Sequence, residues 1–413
     1  MNNNFKKNTI WNMIGTGINA FASLIFMIIV TRINGVYDAG TFTFAFTSAT
    51  LFNIIGIYAG RIYQVTDTRK ISNKEYIVNR TITCVIMMGM IIVFLAIKEY
   101  EKYKIITILL LGSLKMFEAF CEVIYGFFQR AELLYKVGIS LTVKNIVGLI
   151  AFFIVDFYTK NMILAIGCFI LIYLLVMFIY DFRESDFKSK VKGKTDWGNV
   201  IYILKNGFPI FCQSFLNVYL INASKYAIDN IMTDNYQTIF GIIVMPATMM
   251  LLITQFMVHP FLNIITNYVK KNDYISLNKL LFKITLIIVA FGIISIILAY
   301  FIGIYILELI YGISLIEYNF SLSVILFGAI FSAITSVYLT ALIAMRKNIV
   351  QMVGYIFVSL FAIFSSNYLV KKFEIMGASV NYAITMLICC LVFVCVYIFC
   401  SKKVSKGKKL LGK

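Results

Sequence analysis

The chain has 413 residues, 61% of them hydrophobic and 14% charged, whereas a soluble globular domain is about 45–50% apolar, so a water-soluble fold is excluded. The net charge of +18 would suit a nucleic-acid binder, but the Lys and Arg cluster on alternate connections between apolar stretches; the excess reflects membrane topology and no nucleic acid is expected as a partner. Eight cysteines lying in apolar runs or at the end of one, with a single His, support neither a disulfide framework nor a zinc site.

A bilayer core of about 30 Å needs about 20 helical residues per crossing. Stretches of that kind lie near 10–30, 39–59, 80–97, 105–127, 139–157, 162–180, 208–228, 239–261, 284–306, 318–342, 350–369 and 377–400. The first lacks a small-residue cleavage site and runs into Thr31-Arg32-Ile33-Asn34-Gly35, so it is expected to stay as a helix rather than be removed as a signal peptide. After six crossings comes the longest polar connection, with Arg183, Lys188, Lys190, Lys192, Lys194 and Lys205; six more follow. The expected organisation is an N-terminal six-helix bundle over 1–180, a cytoplasmic linker over 181–206, a C-terminal six-helix bundle over 207–400 and a basic tail over 401–413. This is an all-α polytopic membrane protein with 12 transmembrane helices, its halves related by an axis along the membrane normal. Repetition between the halves is faint: Asp38-Ala39-Gly40-Thr41-Phe42 opens the second crossing much as Asn235-Tyr236-Gln237-Thr238-Ile239 opens the eighth.

With the amino terminus placed in the cytoplasm, 27 of the 37 Lys and Arg fall on that side, 7 on the other and 3 within crossings. A bias of that size sets both termini in the cytoplasm. The basic tail is placed to meet anionic membrane lipids, each Lys contributing on the order of 1 kcal/mol near the surface. Of the three prolines, Pro209 starts crossing seven, while Pro246 and Pro260 lie in or at the end of crossing eight. A proline removes a backbone donor and clashes with the preceding turn, so crossing eight is expected to carry a hinge at Pro246 and Pro260.

Charges at bilayer depth cost several kcal/mol by translocon scales and need a partner or a wet cavity. In crossing four, Lys115, Glu118 and Glu122 follow i, i+3, i+7 spacing and share one helical face. Neutralisation of Lys115 by Glu118 is the plain reading; it leaves Glu122, and a coupling ion, H+ or Na+, is assigned to Glu118 or Glu122. Lys144 has no acidic neighbour one turn away and is expected to face a cavity, with a snorkel to the cytoplasm as the plainer alternative. Lys225 precedes Asp229 by four residues and could pair with it. Arg32 and Arg61 end crossings one and two, where simple boundary anchoring is the alternative.

Together Arg32, Arg61, Lys115, Lys144 and Lys225 outnumber Glu118 and Glu122, so the interior is expected to be net positive and suited to an anionic diphosphate. His259, beside Pro260, reads as a helix-end polar residue rather than a proton relay. No Walker loop, nucleophile elbow, metal cluster or dinucleotide fingerprint occurs. Neither an enzyme nor a cofactor is expected.

The segments Asn8-Thr9-Ile10-Trp11-Asn12, Thr31-Arg32-Ile33-Asn34-Gly35, Asp38-Ala39-Gly40 and Gly60-Arg61-Ile62-Tyr63-Gln64-Val65-Thr66-Asp67 resemble polysaccharide flippases of the O-antigen and capsule type. These belong to the multidrug/oligosaccharidyl-lipid/polysaccharide exporter superfamily. The resemblance continues at Gly207-Phe208-Pro209, Ser224-Lys225-Tyr226-Ala227-Ile228 and Met245-Pro246-Ala247-Thr248. It implies a MATE-like transporter fold with two six-helix lobes around a central cavity. It also implies a bacterial plasma-membrane protein that moves undecaprenyl-diphosphate-linked oligosaccharide units to the outer leaflet, alongside a polysaccharide polymerase and assembly proteins. Arg32 and Arg61 look like counterparts of arginines in the related lipid II flippase of peptidoglycan synthesis. That family has a further Arg where this chain has Asp38, and two additional helices, which favours a capsular or O-antigen-like unit over a peptidoglycan precursor.

Two other readings compete. A cation-coupled multidrug exporter of the same superfamily would want an acidic cavity, and a membrane glycan polymerase or ligase would want a large outer loop, which is missing here.

Overall fold

The computed structural model describes residues 3–66, 69 and 71–411. Asp67 of the resembling segment and the side chains of His259 and of the tail beyond Lys402 lie outside the described residues. Among the described residues the regular elements are all helical.

The chain divides into two compact units, 1–215 and 216–413. In the first, α1 (Asn3–Ile33) and α2 (Val36–Ile57) meet at a tight turn where Gly35 takes φ 91°, a conformation that excludes most side chains. A second break follows α2, with Tyr58 at φ 52° and Gly60 at φ 71°, before the short α3 (Gly60–Thr66). Then come α4 (Asn73–Ile97), α5 (Lys102–Arg130), α6 (Leu134–Thr159) and α7 (Met162–Val176). Asn161 caps α7 by accepting from the Leu164 amide at 3.2 Å. The helix then passes into a π-turn at Met177–Asp181.

α1 packs along α6. They cross so closely at Gly15 and Gly138 that a Cβ on either would collide with the other helix's backbone. The expected linker region 181–206 contains helical turns, among them α8 (Phe187–Val191) and the first ten residues of α9 (Trp197–Ile231). α9 runs on through Pro209 and past the unit boundary.

The second unit holds the end of α9, then α10 (Asp234–Val258), α11 (Leu262–Lys271), α12 (Tyr274–Leu298), α13 (Ile304–Tyr311), α14 (Asn319–Ala344) and α15 (Asn348–Leu411). α10 is helical through Pro246; the break comes at the 3-10 turn His259–Phe261, which holds Pro260. Glu374 in α15 leaves helical geometry (φ 50°, ψ −130°), so this stretch is two helices joined at a kink.

Nine helices among the described residues are long and apolar enough to span a bilayer, and the protein is a multi-pass membrane protein. α5 and α9 are outside that set, although both exceed the roughly 20 residues a crossing needs.

Candidate functional site

In the first unit, the expected polar face of α5 is present and is paired. Lys115 Nζ lies 2.7 Å from Glu118 Oε2, the i, i+3 bridge, and sits 4.7 Å from the centre of the Phe46 ring. Four residues on, Glu122 Oε2 is 3.5 Å from Arg61 Nε, which α3 brings in from beyond the break after α2. Both partners of this second pair keep 28% of their side-chain surface exposed, and Arg61 Nη1 has no hydrogen-bond partner among the described residues. The order along the face is cation, carboxylate, carboxylate, cation, and its sum is zero. A pair open to solvent on one side can exchange partners at modest cost, because water and an incoming anion replace what is lost.

The expectation for Lys144 is corrected. It does not line a cavity: its side chain is 0% exposed, and so is that of Asp181, whose Oδ2 lies 2.5 Å from Lys144 Nζ. Lys144 also donates to Tyr125 Oη at 3.1 Å and Cys121 Sγ at 3.2 Å, and lies 4.2 Å from the centre of the Tyr173 ring. Sequence reasoning missed Asp181 because it follows an apolar run and reads as the first residue of a polar linker. The π-turn continues the helix by one more turn and turns the carboxylate inward.

The four expected cations of this unit do not gather in one hollow. Arg32 is exposed at the end of α1, and Arg61 lies beyond the far end of α2. The 22 residues of α2 alone put about 33 Å between those ends at 1.5 Å per residue. Arg61, Lys115 and Lys144 each have a carboxylate partner, so the expected net-positive lining is not present on these residues.

Around Arg61 the structure adds groups that periodicity does not single out. Arg80 is 5% exposed and donates through Nη1 to Gly56 O at 2.6 Å, and Thr83 Oγ1 donates to the same carbonyl at 2.7 Å. These bonds hold the C-terminal end of α2, where carbonyls lack intrahelical partners. Arg130 donates to Gln64 O and fixes the far end of α3. At the opposite end of the bundle, Asn34 donates to Asp156 at 3.0 Å and Tyr37 to Glu101 at 3.0 Å, beside a cavity of about 440 Å3 lined by Tyr37, Asp38, Glu101, Tyr103, Lys160 and Asn161.

In the second unit, the Lys225 carbonyl accepts from Gln237 Nε2 at 2.5 Å, which ties α9 to α10. Ser224 Oγ donates to Ala378 O at 2.8 Å and accepts from Asn381 at 3.0 Å, so the turn next to Lys225 is bound to α15.

No protein-family model matches the chain. The chain is similar to the capsular polysaccharide biosynthesis protein CapF of Staphylococcus aureus, 27% identical over 184 residues. That match covers 44% of this chain and 43% of the relative, less than half of each. The fold is shared with lipid II flippase MurJ in an inward closed conformation, with a TM-score of 0.72 and 15% identity over 93% of this chain and 87% of that one. It is shared too with an inward-facing multidrug resistance MATE family transporter of the MOP superfamily, with a TM-score of 0.67 and 12% identity over 96% and 99%. The fold is MATE-like.

Proposed function

We propose that the protein is a flippase that carries undecaprenyl-diphosphate-linked oligosaccharide units from the cytoplasmic to the outer leaflet of a bacterial plasma membrane, for capsule, O-antigen or other surface polysaccharide assembly. The observation that carries this reading is the similarity to a capsular polysaccharide biosynthesis protein in a chain whose fold is also that of a lipid flippase. The nine apolar spans support it; with Asn348–Lys402 divided at Glu374, and with α5 and α9 taken as crossings too, the count would be twelve. The alternation of basic connections would put both termini in the cytoplasm.

The diphosphate is bound by partner exchange rather than by a standing cationic lumen. Arg61 leaves Glu122 and gives its guanidinium fork to the phosphate oxygens. Glu122, freed, takes the coupling ion, H+ or Na+, so that the carboxylate is never left as an unpaired charge. Lys115 and Glu118 form the neighbouring pair on the same face and serve the same exchange further along α5. Arg32 and Lys225 would meet the anionic unit at other stages of its passage, and Pro246 and Pro260 would let α10 bend. Polysaccharide polymerase and assembly proteins would take up the product.

The test is transport of a defined fluorescent diphosphate-linked oligosaccharide in proteoliposomes under imposed proton or sodium gradients. Movement that Arg61→Ala abolishes supports the reading; no movement under either gradient refutes it. The MATE-like fold favours one competing reading, export of organic cations. Gradient-driven efflux of a cationic dye by the same proteoliposomes, unaffected by Arg61→Ala, would establish that activity in place of lipid transport.

A further inference from the structure

α12 and its continuation through α13 cover 38 residues, Tyr274–Tyr311. At 1.5 Å per residue that is about 57 Å of helix, against about 40–45 Å for a bilayer with its headgroups. The uninterrupted apolar run begins after Lys283, so the first turns, 274–283, cross the headgroup layer at one side of the membrane. One face of this helix is packed and the opposite face is bare. Leu277, Leu281, Ile284 and Ile288 are buried, at the i, i+4, i+7, i+11 spacing of a single stripe. Half a turn away run Ile275, Lys279, Phe282, Lys283 and Leu286, all exposed, the three apolar ones by 74%, 62% and 52%. The bare stripe continues into the bilayer core through Ile293, 50% exposed.

Lys279 and Lys283 stand one turn apart on that stripe, about 6 Å along the axis, and form no ion pair among the described residues. The connections at this end of the second unit, 259–283 and 343–350, add Lys270, Lys271, Arg346 and Lys347 against a single carboxylate, Asp273. That carboxylate is engaged in capping α12, where it accepts from the Ser276 amide at 3.1 Å. We propose that this flank of α12 binds an anionic phospholipid of the adjoining leaflet, its phosphate held by Lys279 and Lys283 and its acyl chains lying along Phe282, Leu286 and Ile293.

Charge and length agree on that ligand. The phosphate supplies the counter-charge that no carboxylate gives, and lysine stems laid along apolar surface bring both ammonium groups to headgroup level. The rise from Phe282 to Ile293 is about 16 Å, close to half of the roughly 30 Å hydrocarbon core, so the chains of one leaflet cover the stripe. A free phosphate or an acidic protein segment would answer the lysines alone, and a zwitterionic lipid the apolar stripe alone. This inference depends neither on what the protein transports nor on which way it faces in the membrane.

The test uses the full-length protein in phosphatidylcholine nanodiscs carrying a trace of photoactivatable phosphatidylglycerol, with photoactivatable phosphatidylcholine at the same level as reference and the crosslinks mapped by mass spectrometry. Phosphatidylglycerol is captured on α12 about tenfold or more above the reference. Lys279→Gln with Lys283→Gln lowers that capture by about twentyfold, roughly fivefold per lysine, and leaves phosphatidylcholine capture unchanged. Both positions are exposed, where substitutions leave folding nearly untouched. Lys270→Gln with Lys271→Gln makes the same change of charge on α11 and lowers capture by less than about twofold. Equal capture of the two lipids would overturn the proposal, as would undiminished capture by the α12 variant. So would an equal loss in the α11 variant, by showing diffuse surface charge, and displacement of phosphatidylglycerol by millimolar inorganic phosphate, by showing a site for a free anion.

Discussion

Replacing Lys144 by Met is the sharpest single perturbation of the first unit. The methionine fills a similar volume, so the packing loss is small, but Asp181 is left 0% exposed with its charge unmatched. Breaking a buried ion pair from one side costs about 3–5 kcal/mol, whereas replacing both partners with apolar groups is often neutral. For a cooperative unit of about 200 residues, each kcal/mol moves the midpoint by roughly 2–4 °C, so Lys144→Met and Asp181→Leu should each lower it by roughly 6–20 °C. The double variant should recover most of that loss. The assay is thermal unfolding of purified protein in detergent, followed by thiol-reactive fluorescence from the buried cysteines, alongside transport in proteoliposomes. If the pair is structural, the recovered double variant still transports. Single variants that melt with the unaltered protein would refute the buried-pair reasoning, and a stable double variant without transport would restore Lys144 as a substrate ligand.

Three other outcomes are expected. Glu122→Gln leaves Arg61 uncompensated, so binding of a diphosphate-linked substrate should tighten by about tenfold, for about 1.4 kcal/mol of lost competition, while turnover falls; titration calorimetry and transport rates check the two halves separately. Gly138→Leu drives a side chain into the α1 backbone at Trp11 and Asn12 and should reduce stability by about 1–3 kcal/mol or more, visible as a lower midpoint and reduced yield of folded protein. Asn161→Ala removes the cap of α7 and should cost about 1 kcal/mol, with faster amide exchange confined to the first turn of that helix.

What the sequence discloses here is what one dimension encodes. Crossing length, apolarity and the alternation of Lys and Arg are properties of contiguous stretches, and the helices α1, α2, α4 and α6 fall where they predict. The Lys115–Glu118 bridge is legible because i, i+3 spacing brings the groups together whatever the rest of the chain does. The pairs that join separate elements are not legible. Glu122 meets Arg61 only because two positive-φ residues turn α3 back towards α5, and Lys144 meets Asp181 only because a π-turn rotates the end of α7. Counting charges within crossings therefore overstated the positive interior, since it placed one compensating carboxylate in a linker.

Pairing also answers a difficulty that a standing cationic lumen would create. A cation at bilayer depth costs about 2.5–3.5 kcal/mol by translocon scales, and a carrier that returns without cargo would meet that cost on half of every cycle. In the proposed cycle a carboxylate partner would remove it in the resting state and would be given up only when phosphate oxygens replace it, so the substrate would be held by the difference between two ion pairs rather than by one whole pair. Small differences favour release on the far side. Exposure decides which pair can do this. Arg61 and Glu122 are each 28% exposed and water can mediate their separation, whereas Lys144 and Asp181 at 0% would have to part with no solvent to receive either charge. Only the first pair fits the proposed exchange; the second ties α5, α6 and the end of α7 together.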